Sequence, residues 1–358
     1  MKKIIAISTI ILFGNLLNAQ DIHFSQWGQT PALINPALTG SLAVVRASVI
    51  YKDQWRSATV PYQTYGASFE MKFKASNWEK QNQHLTRIYK KAFSRTAGGL
   101  SFFNDKAGDG KMGSTQANLS FATFVKLSKK ATLALGLQAS IVQRKIDYSK
   151  LTFPNQYNGT GFDQTLSTGE DYNAQNFVYP DFAGGINWSY GFTEKSIAAN
   201  NELRINAGAA MYHITQPKQK YLSATSDRLN SKLVLHADAV IGIRNSNVAL
   251  VPSYLCEIKG KSYEMIEGFM VKYYFNDDSK YTGYLKRSAF GIGCAYRNRD
   301  AILLSALLEY ENYAVGFSYD INTSKLAKAT VGRGGPEIFI RFVTPSPFLN
   351  QTSKARFN

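Results

Sequence analysis

The residue types best suited to chemistry are sparse in this chain. Its four histidines, His23, His84, His213 and His236, and its two cysteines, Cys256 and Cys294, are the strongest candidate ligands and nucleophiles. No histidine has a His or Cys partner at ligand spacing, so no metal site is expected. Asp105, Asp109 and Gly110 match part of a calcium loop. The EF-hand spacing is not met and no bidentate Glu closes the loop, so the reading is a Gly/Asp hairpin turn. Neither a Gly-x-Ser-x-Gly elbow, nor a His-Glu-x-x-His pair, nor a Gly-x-x-x-x-Gly-Lys-Ser/Thr loop occurs. No catalytic residue and no cofactor is therefore expected. His236 stands two positions from Asp238, which suits a buried hydrogen-bond network or, as the sharper reading, a proton-sensitive gate.

Most of the chain alternates with period two. Tyr65, Ala67, Phe69, Met71 and Phe73 share one face, and Thr64, Gly66, Ser68, Glu70 and Lys72 share the other. Strict alternation of this kind is the mark of a half-buried strand. Counting similar segments gives about 14 strands. They are expected near 42–56, 64–75, 96–104, 114–127, 131–145, 178–190, 203–213, 231–243, 247–258, 262–275, 283–297, 301–310, 312–322 and 335–343. Many approach the length that a tilted membrane strand needs, and the apolar face is consistently large. The expected fold is all-β, a transmembrane antiparallel up-and-down β-barrel. A soluble secreted β-sandwich is the rival, and its strands would be shorter.

The ends carry other signals. Met1-Lys2-Lys3, an apolar run from Ile4 to Leu17, and Asn18-Ala19 before Gln20 read as a cleaved signal peptide over 1–19. Residues 20–41 do not alternate and read as an N-terminal periplasmic or plug-like segment; 42–343 are the barrel and 344–358 a C-terminal tail. No later segment is apolar enough for a transmembrane helix. A mean hydropathy of −0.23 suits a barrel, half of whose wall faces a polar lumen. The aromatic content of 13% suits interfacial girdles. The net charge of +16 points, for an exported protein, to acidic lipid or protein rather than nucleic acid. The even strand number places both termini on one side, read as the periplasm of an outer-membrane protein. The basic stretch 75–95 reads as a docking insertion with a short helix near 84–93, or as a solvated loop. Cys256 and Cys294 fall on non-neighbouring strands and are expected as free, buried thiols.

One segment is more distinctive than the alternation. Asp21-Ile22-His23-Phe24-Ser25-Gln26-Trp27 is followed by Pro31 and by Asn35-Pro36-Ala37-Leu38-Thr39-Gly40, then by Tyr51 and Gln54-Trp55-Arg56. With these motifs the sequence resembles the PorP/SprF family of the type IX secretion and gliding-motility apparatus. Gly99–Gly110, Asp147–Phe153 and Pro336–Phe342 are also similar to that family. The resemblance implies an integral outer-membrane protein whose partners are type IX components and a secreted or surface-attached protein. It carries no catalytic residues. Candidate partner-binding residues are His23, Phe24, Gln26, Trp27, Asn35, Pro36, Gln54, Trp55 and Arg56. The rival function is an anion-preferring porin or solute channel, because basic residues outnumber acidic ones on the polar faces. Arg46, Lys52, Arg297 and Arg341 are among those charges, and pairing across a plugged interior is the alternative to lining a water path.

Overall fold

A computed structural model describes residues 22–344 except 58–59, 74–95, 109, 129, 149–150, 170–175, 193–194, 197–198, 201, 220–226, 276–287 and 326. The signal-peptide segment, the basic stretch 75–95 and all but the first residue of the tail lie outside the described residues.

The wall is a closed antiparallel barrel of fourteen strands. In chain order they are β1 (Val45–Gln54), β2 (Tyr62–Lys72), β3 (Thr96–Ala107), β4 (Met112–Lys126), β5 (Ala131–Lys145), β6 (Asn176–Phe192) and β7 (Leu203–Tyr212). The second half comprises β8 (Lys232–Gly242), β9 (Val248–Lys259), β10 (Ser262–Tyr274), β11 (Ser288–Arg297), β12 (Ala301–Tyr310), β13 (Tyr313–Asn322) and β14 (Arg333–Thr344). Each strand pairs with its neighbours in sequence, and β14 returns to β1 with Val45 opposite Thr344 and Lys52 opposite Glu337. Closure removes the two sheet edges that would otherwise leave unpaired backbone groups. We call the end of the barrel holding Val45 and Thr344 the terminal end, and the other the distal end. Two small hairpins, Lys195–Ser196 with Ala199–Asn200 and Lys218–Gln219 with Asp227–Arg228, stand apart from the wall.

Every expected strand is present, and the differences lie at strand ends. The first ends at Gln54, because Trp55 turns out of the strand with a φ of 57°. The β3–β4 hairpin is longer than its alternation suggested, reaching Ala107 and resuming at Met112 around a turn at Gly108 and Gly110. Of the calcium-like run, Asp105 lies in β3 and Gly110 in this turn, and Asp109 lies outside the described residues.

The alternation sorts side chains to two faces. Tyr65, Phe69 and Phe317 are about half exposed on the outer face, at 48%, 46% and 49%. Thr64, Ser68 and Glu70 point inward and are buried. Outer aromatic pairs occur at both ends: Trp188 with Tyr190 and Tyr273 with Phe275 near the terminal end, Tyr51 with Tyr65 near the distal end. Cys256 and Cys294 are free thiols on β9 and β11, strands separated by β10. Cys256 is buried, but Cys294 is exposed. The expectation of two buried thiols is corrected for Cys294, which takes an outward position between exposed Ile292 and Tyr296.

Candidate functional site: a segment held inside the barrel

Residues Ile22 to Gly40 lie within the barrel and pack against its inner wall. Two prolines set the local shape. Pro31 opens a single helical turn, Pro31–Ile34, and Pro36 opens a 3-10 turn, Pro36–Leu38. A proline suits a first helical position because its fixed φ is preorganised and its missing N–H would be unpaired there anyway. Asn35 lies between the two turns and caps the second, its Oδ1 accepting from the Ala37 amide at 2.9 Å. Its Nδ2 donates to the Ile186 carbonyl at 2.9 Å and lies 3.0 Å from His236 Nε2. Asn35 is completely buried. The wall makes room for this contact with glycines. A Cβ added to Gly136 on β5 would stand 2.2 Å from the Ala37 nitrogen. One added to Gly185 on β6 would stand 2.0 Å from Asn35 Oδ1. A Cβ added to Gly208 on β7 would stand 2.6 Å from His236 Nε2. Glycine inside a strand is the residue for such close backbone approach.

Apolar contacts flank the hollow. Trp27, Ile34 and Leu38 join one buried cluster with Val234, Leu255 and Ile266 of the wall. Ile22, Phe24 and Leu33 join another with Ile50, Phe103 and Phe339.

A charged cluster holds the start of the segment. Lys52 Nζ lies 3.0 Å from Ser25 Oγ, 3.5 Å from Asp320 Oδ2 and 3.8 Å from Glu337 Oε2. Arg297 Nη2 lies 2.5 Å from Asp320 Oδ2, and its Nη1 is 3.1 Å from His23 Nε2. The Ser25 and Gln26 amides donate to the two Glu337 oxygens at 2.7 and 2.8 Å. Lys52, Asp320 and Glu337 are buried to 1% exposure or less. Buried charges persist only when paired and hydrogen-bonded, and here the inner segment supplies part of the pairing. A second charged chain crosses the terminal half. Arg341 donates to Gln29 Oε1 at 2.9 Å and to Glu309 at 2.6 Å, and Lys272 donates to Glu309 at 2.8 Å.

The candidate partner-binding residues therefore divide. Phe24, Trp27, Asn35, Pro36 and Gln54 are buried within the barrel. His23 and Gln26 are half-buried and bonded to Arg297 and Glu337. Only Trp55 and Arg56 reach the distal surface. Trp55 packs edge-on against Tyr62 with centroids 5.7 Å apart, and Arg56, with 70% of its side chain exposed, pairs with Asp53. Asp320, Glu337 and Glu309, which partner the charges, were not among the candidates. Their signal was position: each falls on the inward set of its strand. Among the described residues no group of three His, Cys, Asp or Glu side chains converges as a metal site.

Between the inner segment and the wall a cavity of about 330 Å³ remains, lined at the terminal half by Arg46, Lys272, Arg341 and Glu309 and on the other side by Arg204 and Asp238.

A closed fourteen-strand wall with an apolar exterior and a polar, self-filled lumen defines a β-barrel of the outer-membrane type. The family described as type IX secretion system membrane protein PorP/SprF matches residues 16–342, and the chain belongs to that family. No curated protein matches it in sequence. Among solved structures it is similar to a Pseudomonas aeruginosa FadL homologue at 10% identity and a TM-score of 0.43, covering 87% of this chain and 93% of that one. It is also similar to the P. putida toluene transporter TodX, at 10% identity and a TM-score of 0.42, covering 87% and 92%. The beta domain of the Bordetella autotransporter BrkA is a third, at 9% identity and a TM-score of 0.35, covering 84% and 99%. At such scores the fold assignment stands on the strand pairing itself. Fold and family together fit an outer-membrane location.

Proposed function

We propose that this chain is a non-enzymatic outer-membrane component of the type IX secretion and gliding-motility system. It supports the secretion or surface attachment of a partner protein. The observation that carries the reading is the filled lumen. Residues 22–40 bond to the wall from Glu337 near the distal end to Glu70 near the terminal end, so a protein partner meets the rims of the barrel rather than its bore. On this reading residues 1–19 are a cleaved signal peptide, the terminal end faces the periplasm, and the exposed outer apolar band contacts lipid. Trp55 and Arg56 belong to the cell-surface rim.

The test is affinity capture of the tagged full-length protein from detergent-solubilised membranes. Recovery of type IX components, or of a secreted protein carrying the system's C-terminal signal, supports the proposal. Recovery of neither sinks it. A second reading, an anion-preferring channel, draws on the cation excess in the cavity lining. Large, steady, anion-selective currents in planar bilayers would promote that reading over the first.

A further inference from the structure

The cavity left between the inner segment and the wall has an unusual set of donors. Arg46 and Arg341 face it from adjacent strands, and both reach the same neutral oxygen, Gln29 Oε1, at 3.4 and 2.9 Å. Arg46 adds a bond to the Gly28 carbonyl at 2.9 Å, and Arg341 one to Glu309. The Nε–H of each guanidinium has no acceptor among the described residues. Arg46 is 3% exposed, so its unpartnered nitrogen is not facing bulk water. Two guanidinium groups that meet at an uncharged atom and keep a buried donor each are an incomplete oxyanion site. Glu70 stands opposite Arg46 on β2 as its cross-strand counter-charge; its Oε2 takes the Gly40 amide at 2.9 Å, its Oε1 has no hydrogen-bond partner among the described residues, and it lies outside the cavity lining.

The lining also limits what fits. Four cations, Arg46, Arg204, Lys272 and Arg341, face three carboxylates, Glu202, Asp238 and Glu309. The excess of one within the lining, offset in part by Glu70 beside Arg46, matches a monoanion better than a phosphate dianion. Trp27, Leu303 and Leu307 line the same space and suit an apolar body. Gln26 Nε2 and Ser318 Oγ also face it without partners. Ser318 pairs in register with Glu337, four residues along β14 from Arg341, or about 13 Å of strand. A second polar group on the ligand would supply the partner that these two lack. The volume of about 330 Å³ falls at the low end of small-molecule sites.

We propose that this cavity binds a small monocarboxylate with an apolar body and one amide, the chemistry of an N-acyl amino acid. The carboxylate sits between Arg46 and Arg341, and the amide meets Gln26 and Ser318. This goes beyond the proposed role in secretion and does not depend on it.

The test is titration of the full-length barrel in detergent with N-acetyl-leucine, N-acetyl-leucinamide and inorganic phosphate, by calorimetry. The expected result is saturable binding of the acid only. Arg341→Gln lowers affinity by about ten-fold or more, and Arg341→Lys, which keeps the charge beside Glu309, lowers it by an intermediate amount. Ser318→Ala, which removes a hydroxyl without a protein partner, weakens binding about five-fold and leaves the folded barrel's heat stability unchanged. Lys325→Gln, exposed in the loop between β13 and β14, changes nothing. Equal binding of the amide, preference for phosphate, or affinity unaltered in the Arg341→Lys and Ser318→Ala proteins would overturn the proposal.

Discussion

Asn35 uses all of its polar atoms inside the barrel. Its side chain bridges a backbone amide of its own segment, a carbonyl of β6 and the imidazole of β8. Asn35→Ala would leave these groups unpaired in a dry site, at a cost of about 1–3 kcal/mol. The check is the temperature at which the folded band shifts on unheated gels, which should fall. Gly136→Ala should lower it too, by about 1–3 kcal/mol of overpacking, because Ala37 cannot withdraw without losing Asn35's contacts. A wild-type transition in both would contradict the docking described here. At the distal surface Asp163 is held below the usual carboxylate range by the hydroxyl and then the amide of Thr165. A depressed carboxylate stabilises its turn above the ordinary pKa of about 3.9 and loses that effect as pH falls through the lowered value. Exchange of the Thr165 amide should therefore be constant from neutral pH to about 4 once corrected for its intrinsic rate, and accelerate below it. Acceleration already near neutrality would show that the carboxylate does not hold the turn.

The strands and the inner segment differ in how far sequence discloses them. Strands such as β2 and β13 were legible because their faces meet two different solvents, so polarity has to alternate. The inner segment has no period, since it is wrapped on all sides; its distinct composition was visible, and its location was left between a periplasmic and a plug-like reading. Its docking partners were harder still. Lys52, Asp320, Glu337 and Arg297 come from four strands, and no local pattern joins residues so far apart. The glycine hollow left a fainter trace. Gly136 and Gly208 interrupt strands otherwise free of glycine and proline, which is where a close backbone approach is to be suspected, whereas Gly185 is one of several breakers in β6, beside Gly184 and after Pro180. Of the nine candidate residues, those chosen for their motif turned out to face inward, with the exception of Trp55 and Arg56. At this scale Lys52→Met should destabilise strongly, by about 3–5 kcal/mol, because Asp320 and Glu337 lose a shared cation. Adding Glu337→Gln should recover part of the loss. Strict additivity of the two changes in a double-mutant cycle would argue that the groups do not interact.

For the molecule as a whole, orientation is the open proposal with the simplest check. Single cysteines at Tyr157, in the distal loop, and Lys130, in a terminal-end turn, can be placed in a protein lacking Cys256 and Cys294. A membrane-impermeant maleimide added to intact cells should label Tyr157→Cys and spare Lys130→Cys. The reverse pattern would invert the barrel in the membrane.

The hydrogen bond from the Ser25 amide to Glu337 joins positions 312 residues apart. That separation has a bearing on timing. The segment made first is fastened last, to a strand that leaves its synthetic machinery near the end. Until β14 arrives, residues 22–40 have no complete dock, and Lys52 can meet Asp320 but lacks its second acid, Glu337. Zipping of the wall and seating of its lodger are thus one concerted, late event. A chain truncated before Glu337 is expected to be not a leaky barrel but an unassembled one.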